Sequence, residues 1–388
     1  MLASLLSRDY PRSRIVTVIV LALLLLLAFA PFLFPGAKAA NVATKILVFT
    51  VLVASFDLLL GYTGIVSFAH TMFFGVGAYG VAIMSTRMGP GWDALAVGLL
   101  AGLVVSGVLA LVIGLFSLRV RAIFFAMITL AVAAAFQTLA SQLHWLTGGE
   151  DGLSFRLPRE LRPAFELFET PIFGQTVDGR MLGYYLIFFV AVASFLLLLR
   201  IVNSPFGRVL QAIRENDFRA EAIGYRVVVY RSLSSLIGAL FAALAGALYA
   251  IWLRYNGPDT TLSFEIMLDI LLIVVIGGMG TLYGAFVGSA LFLFAQGYLQ
   301  ELMRFVSGSI EFVPVAAVLL SPDRWLLWMG VLFVLSVYYF PTGIVGRLRA
   351  RAQARAAQPP GLAPTAGAGA GAGTAAGTTS APTAAQRR

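Results

Sequence analysis

The chain has 388 residues, of which 60% are hydrophobic and 12% charged, and its formal net charge is +9. A soluble domain carries about 25% charged residues, so this composition excludes an ordinary water-soluble protein and favours a membrane protein. There is no cysteine, which excludes disulfides and thiolate chemistry, and neither lysine follows a glycine-rich loop, which excludes a Walker A ATPase site.

Apolar runs long enough to cross about 30 Å of hydrocarbon recur along the whole chain. The first run is longer than the apolar core of a signal peptide and predicts a retained helix. The glycine-rich third run also fits a broken or re-entrant helix, whereas only GGMGTLYG (277–284) separates the eighth and ninth runs. The sequence therefore predicts an all-α polytopic transmembrane bundle of about ten spans: 15–34, 43–61, 64–86, 94–116, 122–142, 181–201, 232–253, 264–283, 284–303 and 325–343.

Arginines are distributed unevenly between the loops. With a cytoplasmic N-terminus, the loops at 117–121 and 202–231 and the tail are rich in arginine, whereas the opposite loop 144–180 has four arginines against six acidic residues. The positive-inside rule then predicts that both termini are cytoplasmic and explains the basic charge without nucleic acid. We predict a cytoplasmic N-terminus (1–14), a permease domain (15–346) with a cytoplasmic loop 202–231 and a periplasmic loop 144–180, and a disordered cytoplasmic tail (347–388) of low complexity.

The polar stretch SPFGRVLQAIRENDFRAEAIG (204–224) stands between apolar runs. Ser204-Pro205 is a helix-start signal, Asn216-Asp217 can cap a second short helix, and Gly224 fits the position after its end. An apolar stripe follows the helical period at Phe206, Val209, Leu210 and Ile213. The segment predicts two short cytoplasmic helices that must lie on something: the membrane surface, the neighbouring spans or a partner protein.

Six motifs in order give the chain a family resemblance. They are GYTGIVSFAHTMFFGVGAYG (61–80), SLRVRAIFFAMITLA (117–131), LTGGEDGL (146–153), SPFGRVLQAIREND (204–217), GGMGTLYG (277–284) and FPTGIVG (340–346). The chain resembles the branched-chain amino acid permease family of ABC importers, of the LivM type. The resemblance implies a bacterial inner-membrane subunit that works with two ABC ATPase subunits, a related second permease and an external solute-binding protein.

The same resemblance implies that the 204–224 loop docks into a groove on the ATPase. The residues carried over to this coupling role are Arg208, Arg214, Glu221, Ala222 and Gly224. Members of the family often have Gly-Asp and a glutamate where this chain has Ala122-Ile123 and Ala134. This departure leaves the solute open among branched-chain and other amino acids, amides, urea-like compounds and small carboxylates.

Candidates for the solute path are the few polar groups and the glycines inside the spans. The glycines permit either close helix packing or a broken helix with free backbone groups, and His70 fits a solute contact or a bond between helices. Asp269 fits a solute contact or an ion pair with an arginine of a neighbouring span. The predicted path residues are Gly64, His70, Gly75, Gly77, Gln137 and Asp269.

The inventory of reactive residues argues against an enzyme. There is no metal-ligand cluster and no nucleophile–base pair, and the two histidines are far apart, so no catalytic residue, cofactor or metal site is predicted. The competing class is an ion-coupled secondary transporter or a channel, which intramembrane acids and broken helices also suit. That class gives no reason for the docking loop.

Overall fold

The computed structural model describes residues 14–34, 36–117, 122–166, 177–309, 321, 324–339 and 343–347 of the chain. The predicted tail, apart from its first residue Arg347, and most of the predicted cytoplasmic N-terminus lie outside these residues. The helices are α1 (Arg14–Leu33), α2 (Ala37–Asp57), α3 (His70–Met88), α4 (Trp92–Ser117), α5 (Ala122–Gln142), α6 (His144–Thr147), α7 (Gly179–Asn203), α8 (Pro205–Glu215), α9 (Asp217–Ala222), α10 (Val227–Leu253), α11 (Pro258–Thr261), α12 (Phe264–Gly277), α13 (Leu282–Ser309) and α14 (Trp325–Tyr339).

The all-α polytopic fold is confirmed. Within the described residues, eight helical stretches are long and apolar enough to cross a membrane. The other two of the ten predicted spans are also helical, as α3 and α14, but α3 is too polar and the apolar part of α14, Leu327–Ser336, is too short to meet the same measure. The chain is thus a multi-pass membrane protein.

The boundaries predicted around the glycine-rich run are wrong. A π-helical segment, Leu58–Thr63, extends α2 beyond the predicted end at 61, and residues 64–69 are not helical, so α3 begins only at His70. Gly64 ends the π-helix with a φ of +76°, a conformation that glycine adopts at little cost. The run is therefore broken at its start, between α2 and α3, and not within the following helix.

Helix α2 is the centre of the bundle. In the span Ala37–Thr63, 89% of the most apolar stretch is buried, against 17% in α1, 28% in α4 and 22% in α5. Helices α7, α10, α12 and α13 surround α2. Because α1, α4 and α5 are apolar and mostly exposed, their outer faces suit lipid or a second membrane subunit.

Glycines set the distance between α3 and its neighbours. A Cβ added to Gly77 would overlap the backbone carbonyl of Ala243 in α10, and one added to Gly246 would overlap the carbonyl of Phe74 in α3. Gly80 lies equally close to Gly98 in α4. These contacts between backbones are possible only because no side chain stands between the helices.

Two short strands join the loops at one end of the bundle, the predicted outer end. Strand β1 (Leu153–Ser154) pairs antiparallel with β2 (Tyr255–Asn256). The pairing fastens the loop that follows α6 to the end of α10. Of the predicted loop 144–180, residues 167–176 lie outside the described part.

Candidate functional site

Helix α8 packs on the helix bundle through the apolar stripe that the sequence predicts. Leu210 and Ile213 are buried, and the ring of Phe206 stacks on Tyr230 of α10 at a centroid distance of 5.7 Å. Pro205 is the first helical residue, as predicted. The Ser204 hydroxyl makes no capping bond and instead donates to the Ile201 carbonyl at 2.6 Å, so α8 begins directly against the end of α7.

Helix α9 is capped as the sequence predicts. The Asn216 side chain accepts a hydrogen bond from the Arg219 backbone N–H at 2.9 Å, and Gly224 follows the helix with a φ of +95°. Asp217 adds an ion pair with Arg231 of α10 at 3.5 Å. The two short helices are therefore held by contacts with α10 of the same chain.

Helix α9 and the residue that follows it carry unusually exposed apolar side chains. Phe218 is 82% exposed and Ile223 67% exposed. The five predicted coupling residues, Arg208, Arg214, Glu221, Ala222 and Gly224, are exposed as well. We call Phe218, Glu221, Ala222, Ile223 and Gly224 the docking patch.

One of these five residues, Arg214, is exposed but reaches back to the bundle with its guanidinium. Its guanidinium donates to the carbonyl of Gly61 in the π-helical end of α2. The Gly280 N–H, in the turn between α12 and α13, donates to the Asp57 carboxylate at 2.8 Å, and an added Cβ at Gly280 would lie 2.9 Å from the Arg214 guanidinium. Helix α8, the end of α2 and the α12–α13 turn thus meet at one point, which we call the coupling junction.

The predicted path residues of α3 lie in the interior of the bundle. His70 is 1% exposed, and its Nε2 lies 2.9 Å from the Ser55 hydroxyl of α2. Its ring packs edge-on against Phe56 at 5.3 Å. An added Cβ at Gly75 would clash with the Leu262 side chain, so both Gly75 and Gly77 serve close packing. These contacts favour the packing interpretation for all three residues in this conformation.

Gln137 lies apart from those residues. Its side-chain amide donates to the Asp259 carboxylate of α11 at 3.2 Å, near the predicted outer end. Asp269 lies in the middle of α12 and accepts from the Gln296 side-chain amide of α13 at 3.4 Å. The Gln296 carbonyl oxygen in turn accepts from the Lys45 ammonium of α2 at 2.8 Å. The predicted arginine partner of Asp269 is therefore replaced by a glutamine and a lysine.

Sequence reasoning missed Lys45 and Gln296 as candidates for the solute path. A signal was present, because Lys45 stands alone in the apolar stretch 39–56, where a charge is costly and marks a functional candidate. Gln296 is uncharged and follows an apolar run, so its role depends on contacts that only the fold reveals. Among the described residues there is no group of three or more metal-ligating side chains.

The chain matches a known protein family over most of its length. The family described as "Branched-chain amino acid transport system / permease component" matches residues 38–337. The chain belongs to this family. Its members are permease subunits of ABC importers and not enzymes, since ATP hydrolysis takes place in a separate subunit.

Several relatives support the assignment of this permease to the family. It is 25% identical to the "High-affinity branched-chain amino acid transport system permease protein LivM" of Salmonella typhimurium, over 85% of this chain and 75% of the relative. It is 29% identical to a "Probable branched-chain amino acid transport permease protein LivM" of Methanocaldococcus jannaschii, over 45% and 50%. It is also 22% identical to LivH of Escherichia coli, over 77% and 91%.

Similarity to both LivM and LivH indicates a transporter that contains a second, related permease. No solved structure matches this permease.

Proposed function

We propose that this permease is the membrane-spanning subunit of an ATP-driven importer for branched-chain or other amino acids, or similar small polar solutes. It lies in the cytoplasmic (inner) membrane of a bacterium. Two ATPase subunits bind on the cytoplasmic side, and a solute-binding protein delivers the solute on the outer side. The names of the relatives support the amino-acid class, and the six motifs support the partners.

The observation that carries the proposal is the docking patch. An exposed phenylalanine in the short polar helix α9 and an exposed isoleucine directly after it cost free energy in water unless a partner covers them. Helices α8 and α9 are folded and fixed to the bundle. A preformed, partly apolar projection of this kind is expected of an element that docks into a groove on a separate protein, and not of a loop that stays in water.

The coupling junction supplies a route for motion. ATP binding can drive a permease only if the ATPase contacts one permease state more favourably than another. A displacement of α8 acts through Arg214 on the end of α2 and on the α12–α13 turn together. This arrangement supports conversion of ATPase closure into movement of the membrane helices.

We expect the Phe218→Ala, Ile223→Ala double variant to lose its ATPase subunits. Truncation of two exposed anchors at the centre of an interface costs roughly 2 kcal/mol or more each, so the affinity falls by about a hundredfold or more. The measurement is co-purification of the ATPase with tagged permease from detergent extracts. Because both side chains are exposed, the fold of the permease itself is unaffected.

The matched control is Trp145→Ala. Trp145 is 73% exposed, and it lies in α6 at the predicted outer side. This variant keeps its full complement of ATPase. Normal ATPase recovery with the double variant contradicts docking at this patch, and uphill uptake on an ion gradient by the permease without any ATPase favours the secondary-transporter alternative.

A further inference from the structure

Both lysines of the chain lie on one face of α2. Lys38 and Lys45 are seven residues apart, which is two helical turns, and each contacts α13. Lys38 forms an ion pair with Glu301, and Lys45 donates to Gln296. The outer pair stands near the helix end, whereas Lys45 lies two turns deeper in an apolar stretch.

The deeper contact continues to a carboxylate. Gln296 uses its carbonyl oxygen to accept from the Lys45 ammonium at 2.8 Å and its amide N–H to donate to the Asp269 carboxylate at 3.4 Å. One neutral side chain thus satisfies a positive and a negative group on two different helices. We call Lys45, Gln296 and Asp269 the charge relay.

The charge relay is only partly buried within this chain. Ionised groups inside a membrane do not face lipid, because the desolvation cost is several kcal/mol, and they line a water-filled cavity or a protein contact instead. Glu265, one turn outward from Asp269 on α12, is exposed. This surface of α2, α12 and α13 therefore suits an aqueous conduit.

Aromatic rings stand next to the charge relay. The Lys45 ammonium lies 5.3 Å from the centre of the Phe49 ring, which packs against Tyr249 at 6.2 Å. Tyr249 continues the contact to Phe74 at 5.7 Å. Phe49 and Phe74 are 2% and 0% exposed, whereas Tyr249 is only partly buried, so Tyr249 is the ring of this set that offers an apolar surface beside the charges.

We propose that the charge relay binds the zwitterionic backbone of an α-amino acid during transport, which rests on the proposed amino-acid importer. The solute carboxylate pairs with the Lys45 ammonium, and the solute ammonium pairs with the Asp269 carboxylate. These two contacts replace the hydrogen bonds that Gln296 makes with Lys45 and Asp269. When no solute is bound, the Gln296 amide bonds Lys45 and Asp269, because its carbonyl accepts as the solute carboxylate does and its N–H donates as the solute ammonium does. An apolar solute side chain then lies against the partly buried ring of Tyr249.

Uptake by the complete transporter tests this proposal. The permease is reconstituted into liposomes with its second permease, ATPase and binding protein, and ATP-driven uptake of labelled L-leucine is measured. Lys45→Gln and Asp269→Asn reduce uptake by about tenfold to a hundredfold, the loss expected when a hydrogen bond between charged groups is removed. Subunit recovery and melting temperature stay as in the unchanged complex.

The matched control is Lys38→Gln, which removes the other lysine of the same face and breaks its ion pair with Glu301. Because the proposal gives Lys38 no solute contact, uptake stays within about twofold of the unchanged complex. Equal losses at both lysines contradict the proposal. An unchanged complex that takes up no amino acid contradicts the proposed function, whereas normal uptake by Lys45→Gln and Asp269→Asn contradicts only the charge relay as a solute site.

A thiol reporter decides the question even where the relay variants fail to assemble. The chain has no cysteine, so Glu265→Cys introduces a single site beside an otherwise unchanged relay. A water-soluble thiol reagent modifies this cysteine in the full complex during ATP turnover, and L-leucine slows the modification several-fold. Leu291→Cys, on α13 and 45% exposed, shows no such protection. Modification of Glu265→Cys at the same rate with and without L-leucine overturns the proposal.

Discussion

Gly77→Leu removes most of the folded permease. The new side chain must occupy the space of the Ala243 carbonyl, and this carbonyl belongs to the α10 backbone and cannot rotate aside. A single extra methylene group in a packed core costs about 1–3 kcal/mol, and leucine adds more than one against backbone. We expect the monodisperse permease recovered in size-exclusion chromatography to fall by roughly fivefold or more, because a loss of 1–2 kcal/mol already changes abundance several-fold.

The control is Gly183→Ala, compared with Gly77→Ala. Gly183 lies in α7, and an added Cβ there meets nothing within 4 Å. We expect recovery equal to that of the unchanged chain. Gly77→Ala takes an intermediate value, since a methyl group already overlaps the same carbonyl. If the Gly77→Leu permease is recovered in full, α3 and α10 pack less closely than in the structure.

Arg214→Leu uncouples ATP hydrolysis from transport. The variant loses the bond from α8 to the Gly61 carbonyl, but the docking patch is untouched. A hydrogen bond from a charged donor contributes about 1.5–3 kcal/mol, so we expect uptake per ATP hydrolysed to fall by roughly tenfold or more. The measurement combines the rate of ATP hydrolysis with solute uptake in liposomes that hold the complete transporter.

Arg200→Leu is the matched control, because Arg200 is an exposed arginine in the last turn of α7. Its ratio of uptake to hydrolysis remains that of the unchanged complex. Loss of the ATPase subunits from Arg214→Leu places this residue in the docking surface, as the family resemblance implies, and argues against the coupling junction. An unchanged ratio of uptake to hydrolysis also contradicts the coupling junction.

The sequence predicts the long helices well because each needs about 20 apolar residues, a property of composition that tertiary contacts hardly alter. It also predicts α8 and α9, since Pro205, Asn216 and Gly224 are local start and stop signals. It fails at 58–69, where the π-helix and the irregular segment are determined by contacts with α8 and the α12–α13 turn. No local pattern encodes these contacts.

The candidate site divides in the same way. Glu221, Ala222 and Gly224 of the docking patch follow from the family resemblance, whereas Phe218 and Ile223 are recognised only by their exposure in the structure. The contact of Arg214 with Gly61 cannot be predicted either, because a long side chain at the edge of a stripe can turn to either side. Asp269 is conspicuous as an acid in a span. Lys45, in α2, is 224 residues away from Asp269 along the chain, and Gln296, in α13, is 27 residues away. Only the fold brings these side chains together.

The folded state of the loop between α7 and α10 affects how tightly a partner can bind. Helices of 11 and 6 residues are unstable by themselves in water, yet here Leu210, Ile213 and Ala220 are buried and hold them in place. Ordering a flexible chain costs about 1–2 kcal/mol of entropy per residue, and this cost is met during folding of the permease. Little of the interaction energy with the partner is then lost to ordering the loop. A displacement of the loop is also transmitted to the bundle, because the two helices do not unfold locally.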